Sequence, residues 1–161
     1  MMTEQWRPVV GYEGLYEVSD LGRVRSLPRV ALRSNGVPYT IRERVLRPQR
    51  NSKHVNVTLY KDGVAQTPLV HRLVLAAFVG PCPPGQQARH WDDVGTNNTL
   101  SNLLWGTPSD NQHDKVRNGL NHNANKTHCP NGHEYTPENT YTKNSGRKCR
   151  ICTIARSKMT V

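Results

Sequence analysis

Apolar and polar positions alternate along this chain in two different rhythms. Near the N-terminus, Leu15-Tyr16-Glu17-Val18 and Arg23-Val24-Arg25 follow a period of two, the signature of half-buried strands. Ser19-Asp20-Leu21-Gly22 lies between them as a turn, so the segment predicts an antiparallel pair. Arg23 and Arg25, two positions apart, fall on one face of the second strand. Trp6, Tyr12 and Tyr16 are assigned to a thin core. Val55, Val57 and Leu59 alternate over what reads as a single strand, and Lys61-Asp62-Gly63 is a hairpin turn leading into another. The rhythm then changes. In "VHRLVLAAFVG", Val70, Leu73, Val74, Ala77 and Phe78 recur at helical spacing, and Gly80-Pro81 ends the helix.

A Pro-rich loop, "PCPPGQQA", leads into "RHWDDVGTNNTLSNLLWGTPSDN", residues 89–111. Arg89 to Asp92 predicts the end of one strand and Leu103 to Gly106 a second, with a loop rich in Asp and Asn between them. Thr107 suits an N-cap, Pro108 the first helical position and Asp110 the first turn. That helix runs to Arg117, with Gly119 as its stop. The pattern is strand, loop, strand, helix.

Composition narrows the reading. A chain of 161 residues with 35% hydrophobic content and one Phe has little material for a large continuous core, which favours small modules. The net charge of +10 and a pI near 9.9 favour an anionic partner, nucleic acid before a membrane surface. No apolar run approaches a transmembrane helix, and "MMTEQWRPVV" has no apolar signal region. The expectation is a soluble cytoplasmic protein with no membrane partner. Of its stretches, residues 89–120 alone carry more acidic than basic side chains. A basic frame around an acidic centre suits phosphates on the flanks and a divalent cation in the middle.

The residues of that centre fit phosphodiester hydrolysis, which needs a base for the attacking water, a Lewis acid and a rigid frame. His90, at a strand end, is the natural base. Asn111, on the first turn of the following helix, offers a neutral oxygen to a hard cation. Asn102 can bond backbone groups and lock the loop that carries His90. His71, on the preceding helix, reads as structural or as a phosphate contact.

The tail carries a second chemistry. Cys129-x3-His133 and Cys149-x2-Cys152, separated by fifteen residues, form two ligand pairs of the kind that hold a tetrahedral structural zinc ion. His128 competes with His133 for the histidine position, and Cys82 stands apart. A segment so poor in apolar residues needs the metal to fold. Lys143, Arg147, Lys148 and Arg150, with Arg156 and Lys158, make it a candidate grip on a DNA backbone.

At "VHRLVLAAFVG", "RHWDD", "NTLSNLLWGTPSDN" and "DKVRNG" the chain resembles the HNH endonucleases, in the version carried by bacteriophage homing-type enzymes. Its "W…GYEGLYEVSDLGRVRSL" resembles the small module that precedes such nuclease domains, and its Cys/His tail resembles zinc-binding tails that follow them. The resemblance implies a ββα-metal nuclease core with His90 as general base, Asn102 as the residue orienting the loop and Asn111 as a metal ligand. In the family an Asp or His precedes the first His as second ligand; here that position is Arg89, which cannot ligate a cation. Asp92 is the first substitute, followed by Asp93, Asp114 and His113. Alternatively Arg89 clamps a phosphate while Asn111, water and DNA hold the ion, or the domain binds DNA without cutting it.

The expectation is therefore a modular α+β protein. Residues 1–68 form a β-rich DNA-binding module that includes Arg23 and Arg25, and residues 69–119 the HNH unit. Residues 120–126 are a linker and 127–161 a basic zinc-binding tail. The implied cofactors are Mg²⁺ or Mn²⁺ at the catalytic site and structural Zn²⁺, with no small-molecule cofactor. The implied partner is double-stranded DNA in a phage-infected bacterial cell, met by a monomer or homodimer.

Overall fold

The computed structural model describes residues 3–33, 35–51, 53–143 and 146–158. They divide into two compact units, Met1–Asp114 and Lys115–Val161.

In the first unit the alternating segments become a four-stranded antiparallel sheet. Its strands are β1 (Trp6–Pro8), β2 (Tyr16–Ser19), β3 (Val24–Ser26) and, after the hairpin β4 (Arg29–Leu32)–β5 (Pro38–Ile41), β6 (Arg44–Val45), in the order β1-β2-β3-β6. Val18 pairs with Val24 and Tyr16 with Ser26, so the buried positions of both strands share one face. Arg23 falls one residue before β3, in the turn, where its backbone N–H donates to Ser19 Oγ at 3.1 Å.

The predicted single strand through Val55, Val57 and Leu59 is two strands. β8 (His54–Asn56) pairs with β7 (Gln49–Asn51), and β9 (Leu59–Lys61) pairs with β10 (Val64–Gln66). Between them the Val57 N–H turns to the Pro68 carbonyl at 3.2 Å, so the alternation of side chains continues while the pairing partner changes. The turn joining β9 to β10 is the expected one: Asp62 and Gly63 have φ of 52° and 78°, the left-handed pair a two-residue hairpin demands.

Helix α1 (Val70–Phe78) buries Val70, His71, Val74 and Leu75. Beyond it, β11 (Gln87–His90) and β12 (Leu103–Gly106) form an antiparallel hairpin, and α2 (Pro108–Arg117) follows directly. The α2 N-terminus is a reciprocal cap of the kind the sequence predicts. The Asp110 N–H donates to Thr107 Oγ1 at 3.2 Å, and the Thr107 N–H donates to Asp110 Oδ2 at 2.8 Å.

One core joins these parts. Val9, Tyr16, Val18, Val24, Val57, Leu59, Val70, Val74, Leu75 and Leu103 are buried in a single cluster, with Phe78, Ala88, Leu100 and Trp105 packed against it. Each fully buried aliphatic side chain contributes roughly 1.5–3 kcal/mol. The β-rich segment and the hairpin–helix segment thus share their apolar interior. Of the three aromatics assigned to a core, Tyr16 is buried, while Tyr12 packs edge-on against it at 5.9 Å between ring centroids. Trp6 is half-buried beneath the guanidinium groups of Arg25 and Arg23, at 4.4 and 5.7 Å.

In the second unit, α2 ends at Arg117 and is followed by Gly119, whose φ is 68°. The Leu120 N–H reaches back to the Lys115 carbonyl at 2.8 Å, as in a left-handed C-terminal cap. The hairpin β13 (Thr140–Lys143)–β14 (Gly146–Cys149) then leads straight into α3 (Arg150–Lys158). Among the described residues, no helix is long and apolar enough to cross a membrane.

Candidate functional site

The β11–β12 hairpin sets His90 opposite Leu103, so that the imidazole and a core leucine share the inward face and His90 is buried. The loop after it is tied by side chains. Asn102 accepts from the Asp92 N–H through Oδ1 at 3.1 Å, and its Nδ2 donates to Asp92 Oδ1 and to the Asn97 carbonyl, both at 2.9 Å. The Trp91 N–H closes the loop onto the Asn102 carbonyl at 2.9 Å. Asn102 therefore has the geometry expected of the residue that fixes this loop.

A residue the sequence reading did not single out holds the His90 ring. Asn98, itself buried, brings Oδ1 to 3.3 Å from His90 Nε2. An amide oxygen in that place puts the proton on Nε2 and leaves the lone pair on Nδ1. Burial lowers the His90 pKa below the ordinary imidazole value, against the opposing hydrogen bond from Asn98. Asn98 is in turn seated on the β2–β3 turn. A Cβ at Gly22 would lie 2.7 Å from both the Asn98 Cβ and its carbonyl oxygen, and Gly22 has φ of 76°. Only glycine meets both demands.

Arg89, for which a phosphate clamp is one of the alternatives, is tied to the protein itself. Its guanidinium is ion-paired with Asp114, whose side chain is 2% exposed, and it lies across Gly106, where a Cβ would meet Arg89 Nε at 2.4 Å. The pair fastens α2 to the hairpin. Asn111 sits half-buried on the first turns of that helix, and His113 is exposed. Among the carboxylates proposed to replace the missing ligand, Asp114 is thus engaged by Arg89.

Asp92 is engaged too. Its Oδ1 accepts from the Val94 N–H at 2.8 Å and from Asn102, and its Oδ2 accepts from Asn97 Nδ2 at 2.7 Å. Burial opposes its charge, but these bonds hold its pKa below the usual carboxylate range. Asp93 differs. Its backbone is left-handed, with φ of 58°, and its Oδ2 is buried with no hydrogen-bond partner among the described residues. Such an orphaned oxygen is costly unless something else binds it.

Two further histidines surround His90. The His71 ring centroid lies 5.0 Å from it and that of His54 5.7 Å. His71 is buried, and burial followed by the neighbouring His90 and His54 lowers its pKa to about 3. It is neutral at any physiological pH.

In the second unit the four expected ligands converge, each offering an atom within 4.8 Å of the others. His133 Nδ1 is 3.5 Å from Cys129 Sγ, 3.3 Å from Cys152 Sγ and 3.8 Å from Cys149 Sγ, and the Cys129 and Cys152 sulfurs are 3.6 Å apart. These are the edge lengths of a tetrahedron about an ion with metal–sulfur bonds near 2.3 Å. Burial opposes ionisation of Cys149, but hydrogen bonds led by the Cys152 backbone lower its pKa to about 7. His128 is exposed, with its Nδ1 at 2.9 Å from Thr127 Oγ1.

The basic residues expected to meet DNA are of two kinds. Arg23 pairs with Glu4, and Arg25 with Glu17 at 2.6 Å and Glu43 at 3.0 Å, so their charge is largely compensated. Arg147 donates to the Asn123 and Lys126 carbonyls at 2.8 and 2.7 Å and stacks on Tyr135 at 4.2 Å, bracing residues 121–126. Arg150 stands over Tyr141 at 5.3 Å. Lys143 and Lys148 are exposed on one face of the β13–β14 hairpin and, with Tyr141, Thr153 and Arg156, line an open groove of about 410 Å³.

Comparison with known proteins adds the following. Residues 4–60 match the NUMOD4 motif and residues 69–113 the HNH endonuclease family. The chain is 30% identical to DNA endonuclease I-HmuI of Bacillus phage SP01 over 71% of its own length and 59% of that protein. An uncharacterized HNH endonuclease, L247 of Acanthamoeba polyphaga mimivirus, is 25% identical over 95% of this chain and 39% of its own. The solved structure describing DNA binding and cleavage by the HNH homing endonuclease I-HmuI superposes with a TM-score of 0.58 at 30% identity. That match covers 73% of this chain and 60% of the other. The chain thus spans less than two thirds of each of these relatives.

Proposed function

We propose that this chain, which carries an HNH endonuclease domain behind a NUMOD4 motif, hydrolyses phosphodiester bonds of double-stranded DNA in the cytoplasm of a phage-infected cell. The observation that carries the reading is the buried His90 at the hairpin end, held by Asn98 through Nε2 and by a loop locked through Asn102. His90 is the general base: Nδ1 takes the proton of the attacking water while Asn98 fixes the ring. The same reaction class is named for I-HmuI.

The donor set fits a divalent cation. Asn111 supplies one neutral oxygen, and Asp93, with its unpartnered Oδ2, replaces Asp92 as the second ligand. When bound, Mg²⁺ or Mn²⁺ supplies Lewis-acid stabilisation of the scissile phosphate and the departing 3′ oxygen. Structural Zn²⁺ on Cys129, His133, Cys149 and Cys152 holds the tail, which grips the DNA backbone through Lys143 and Lys148 with Arg150 and Arg156 beside them. The enzyme works as a monomer or homodimer.

A second reading draws on the Arg89–Asp114 pair: a domain that has lost one ligand position binds DNA without cutting. Purified protein incubated with supercoiled plasmid and phage genomic DNA in Mg²⁺, Mn²⁺ or EDTA separates the two. Metal-dependent nicking or linearisation that falls by about 10²–10⁴-fold in His90→Ala supports the nuclease. DNA retarded but uncut by both proteins moves the assignment to a binding protein. Asp93→Asn then distinguishes the cation ligand from Asp92→Asn. The first should raise the Mg²⁺ needed for half-maximal rate, and the second should loosen the loop.

A further inference from the structure

His54, His71 and His90 come from three separate places in the chain, the strand β8, the first turn of α1 and the end of β11. Each nonetheless presents a ring nitrogen within 4.8 Å of the other two. The ring centroids stand 5.0 Å apart for His54–His71 and His71–His90, and 5.7 Å apart for His54–His90. The base role assigned to His90 accounts for one of these rings and leaves the other two unexplained.

A histidine kept only for packing normally satisfies both nitrogens when buried. Here His71 Nδ1 and His54 Nδ1 are both buried with no hydrogen-bond partner among the described residues. Nor does a cationic role suit the group, since three imidazolium ions this close repel one another and no carboxylate is ion-paired to any of them among the described residues. Three clustered imidazoles with unused nitrogens, carried on elements locked by a common core, are a ligand set. His54 is further fixed by the loop of the nuclease hairpin, because Gly95 packs so closely on the β7–β8 turn that a Cβ there would lie 2.1 Å from the Lys53 carbonyl oxygen and 2.9 Å from His54 Nδ1.

We propose that His54, His71 and His90 form a second metal site, selective for borderline transition cations such as Zn²⁺, Co²⁺ or Ni²⁺ and distinct from the oxygen-ligand site for Mg²⁺. Imidazole nitrogen prefers such ions, whereas Mg²⁺ prefers oxygen. Three nitrogens leave a fourth position open to water, so the ion exchanges with solvent instead of being enclosed as in the Cys₃His cluster. The site also shares His90. A lone pair on His90 that ligates a metal cannot accept a proton from water, so occupancy switches cleavage off. This last consequence rests on His90 being the base; the metal site itself does not.

The test is metal content, read without DNA. The full chain is saturated with Zn²⁺, freed of loose metal, and assayed for bound zinc per molecule, beside His54→Ala and Cys149→Ser. Wild type should hold two ions and each variant one. In protein given a single equivalent of Zn²⁺, which fills the tighter Cys₃His cluster first, added Co²⁺ should give the visible bands of a nitrogen-ligated ion without thiolate charge transfer, and His54→Ala should abolish them. A thermal melt with metal removed checks that His54→Ala folds. One ion in the wild type, or two in both wild type and His54→Ala, overturns the proposal. Zn²⁺ titrated into a Mg²⁺-dependent cleavage assay should inhibit wild type at concentrations at least tenfold below those that inhibit His54→Ala, each measured against its own uninhibited rate. If two ions bind but no DNA is cut, the metal site stands and the nuclease assignment falls. If DNA is cut and one ion binds, the reverse holds.

Discussion

The first unit buries ten apolar side chains in one cluster running from Val9 to Leu103, whereas Cys129 and Cys149 are the only buried side chains among the described residues of the second. The two stretches of one polypeptide thus stay folded by different physics. In the first, removal of aliphatic area from water offsets the entropy of ordering the chain. In the second, one hairpin and an exposed helix have no such area, and four side chains able to hold a metal ion stand at tetrahedral spacing. The difference also divides the chemistry. A packed core can hold a histidine at a fixed tilt beside an amide, as it does for His90 and Asn98. The tail leaves nearly all its side chains in solvent, Lys143 and Lys148 among them.

Removing the zinc proposed for the tail is the sharpest way to test this contrast. Chelation, or Cys149→Ser, should unfold residues beyond 115 while the first unit keeps its amide dispersion in NMR. Structural zinc ions contribute roughly 10–16 kcal/mol in small domains, far more than the tail's few contacts. Loss of the first unit's signals in parallel would show that the two regions do not fold independently.

Next in size is Arg89→Met. It removes the guanidinium paired with the buried Asp114 carboxylate and should cost up to about 3–5 kcal/mol of urea stability, without altering zinc content. Asp114→Asn in the same chain should recover part of it. If Arg89→Met instead leaves stability intact and lowers DNA affinity, Arg89 is the phosphate clamp after all. Leu75→Ala, fully inside the core, should cost about 2–5 kcal/mol and again spare the tail's metal.

Gly22→Ala acts between stability and chemistry. It forces the Asn98 backbone away, so cleavage should fall more than the melting temperature does, and His90 NMR shifts should report the loss. The smallest effect on folding belongs to Lys143→Ala with Lys148→Ala. Exposed positions such as these change stability within about 0.5 kcal/mol, while the slope of log affinity against log salt should drop by about two.

Much of the candidate site could be read from the chain because it is local. Thr107, Pro108 and Asp110 announce the α2 cap within four consecutive residues, and the structure forms that cap. Asn102 and Asp92 lie on one loop, and their mutual bonds follow from the turn-forming habit of both side chains. The spacing of Cys129, His133, Cys149 and Cys152 encodes its own cluster, since each pair needs only a short turn to converge. The strand through Val55 to Leu59 was not legible in the same way. Alternation records which face a residue occupies, not which strand it pairs with, and the pairing changes at Val57.

The sequence alone therefore determined the local elements, the order His90, Asn102, Asn111 and the Cys/His cluster of the tail, because each rests on residues near one another in the chain. Tertiary structure alone decided that Arg89 turns to Asp114, that Asp92 is consumed by its loop while Asp93 keeps an unpartnered oxygen, and that Asn98 rather than a carboxylate holds His90. It also decided that His54 and His71 join that ring. Those outcomes depend on which groups are removed from water together, and burial is a property of the packed core that no short stretch of sequence contains.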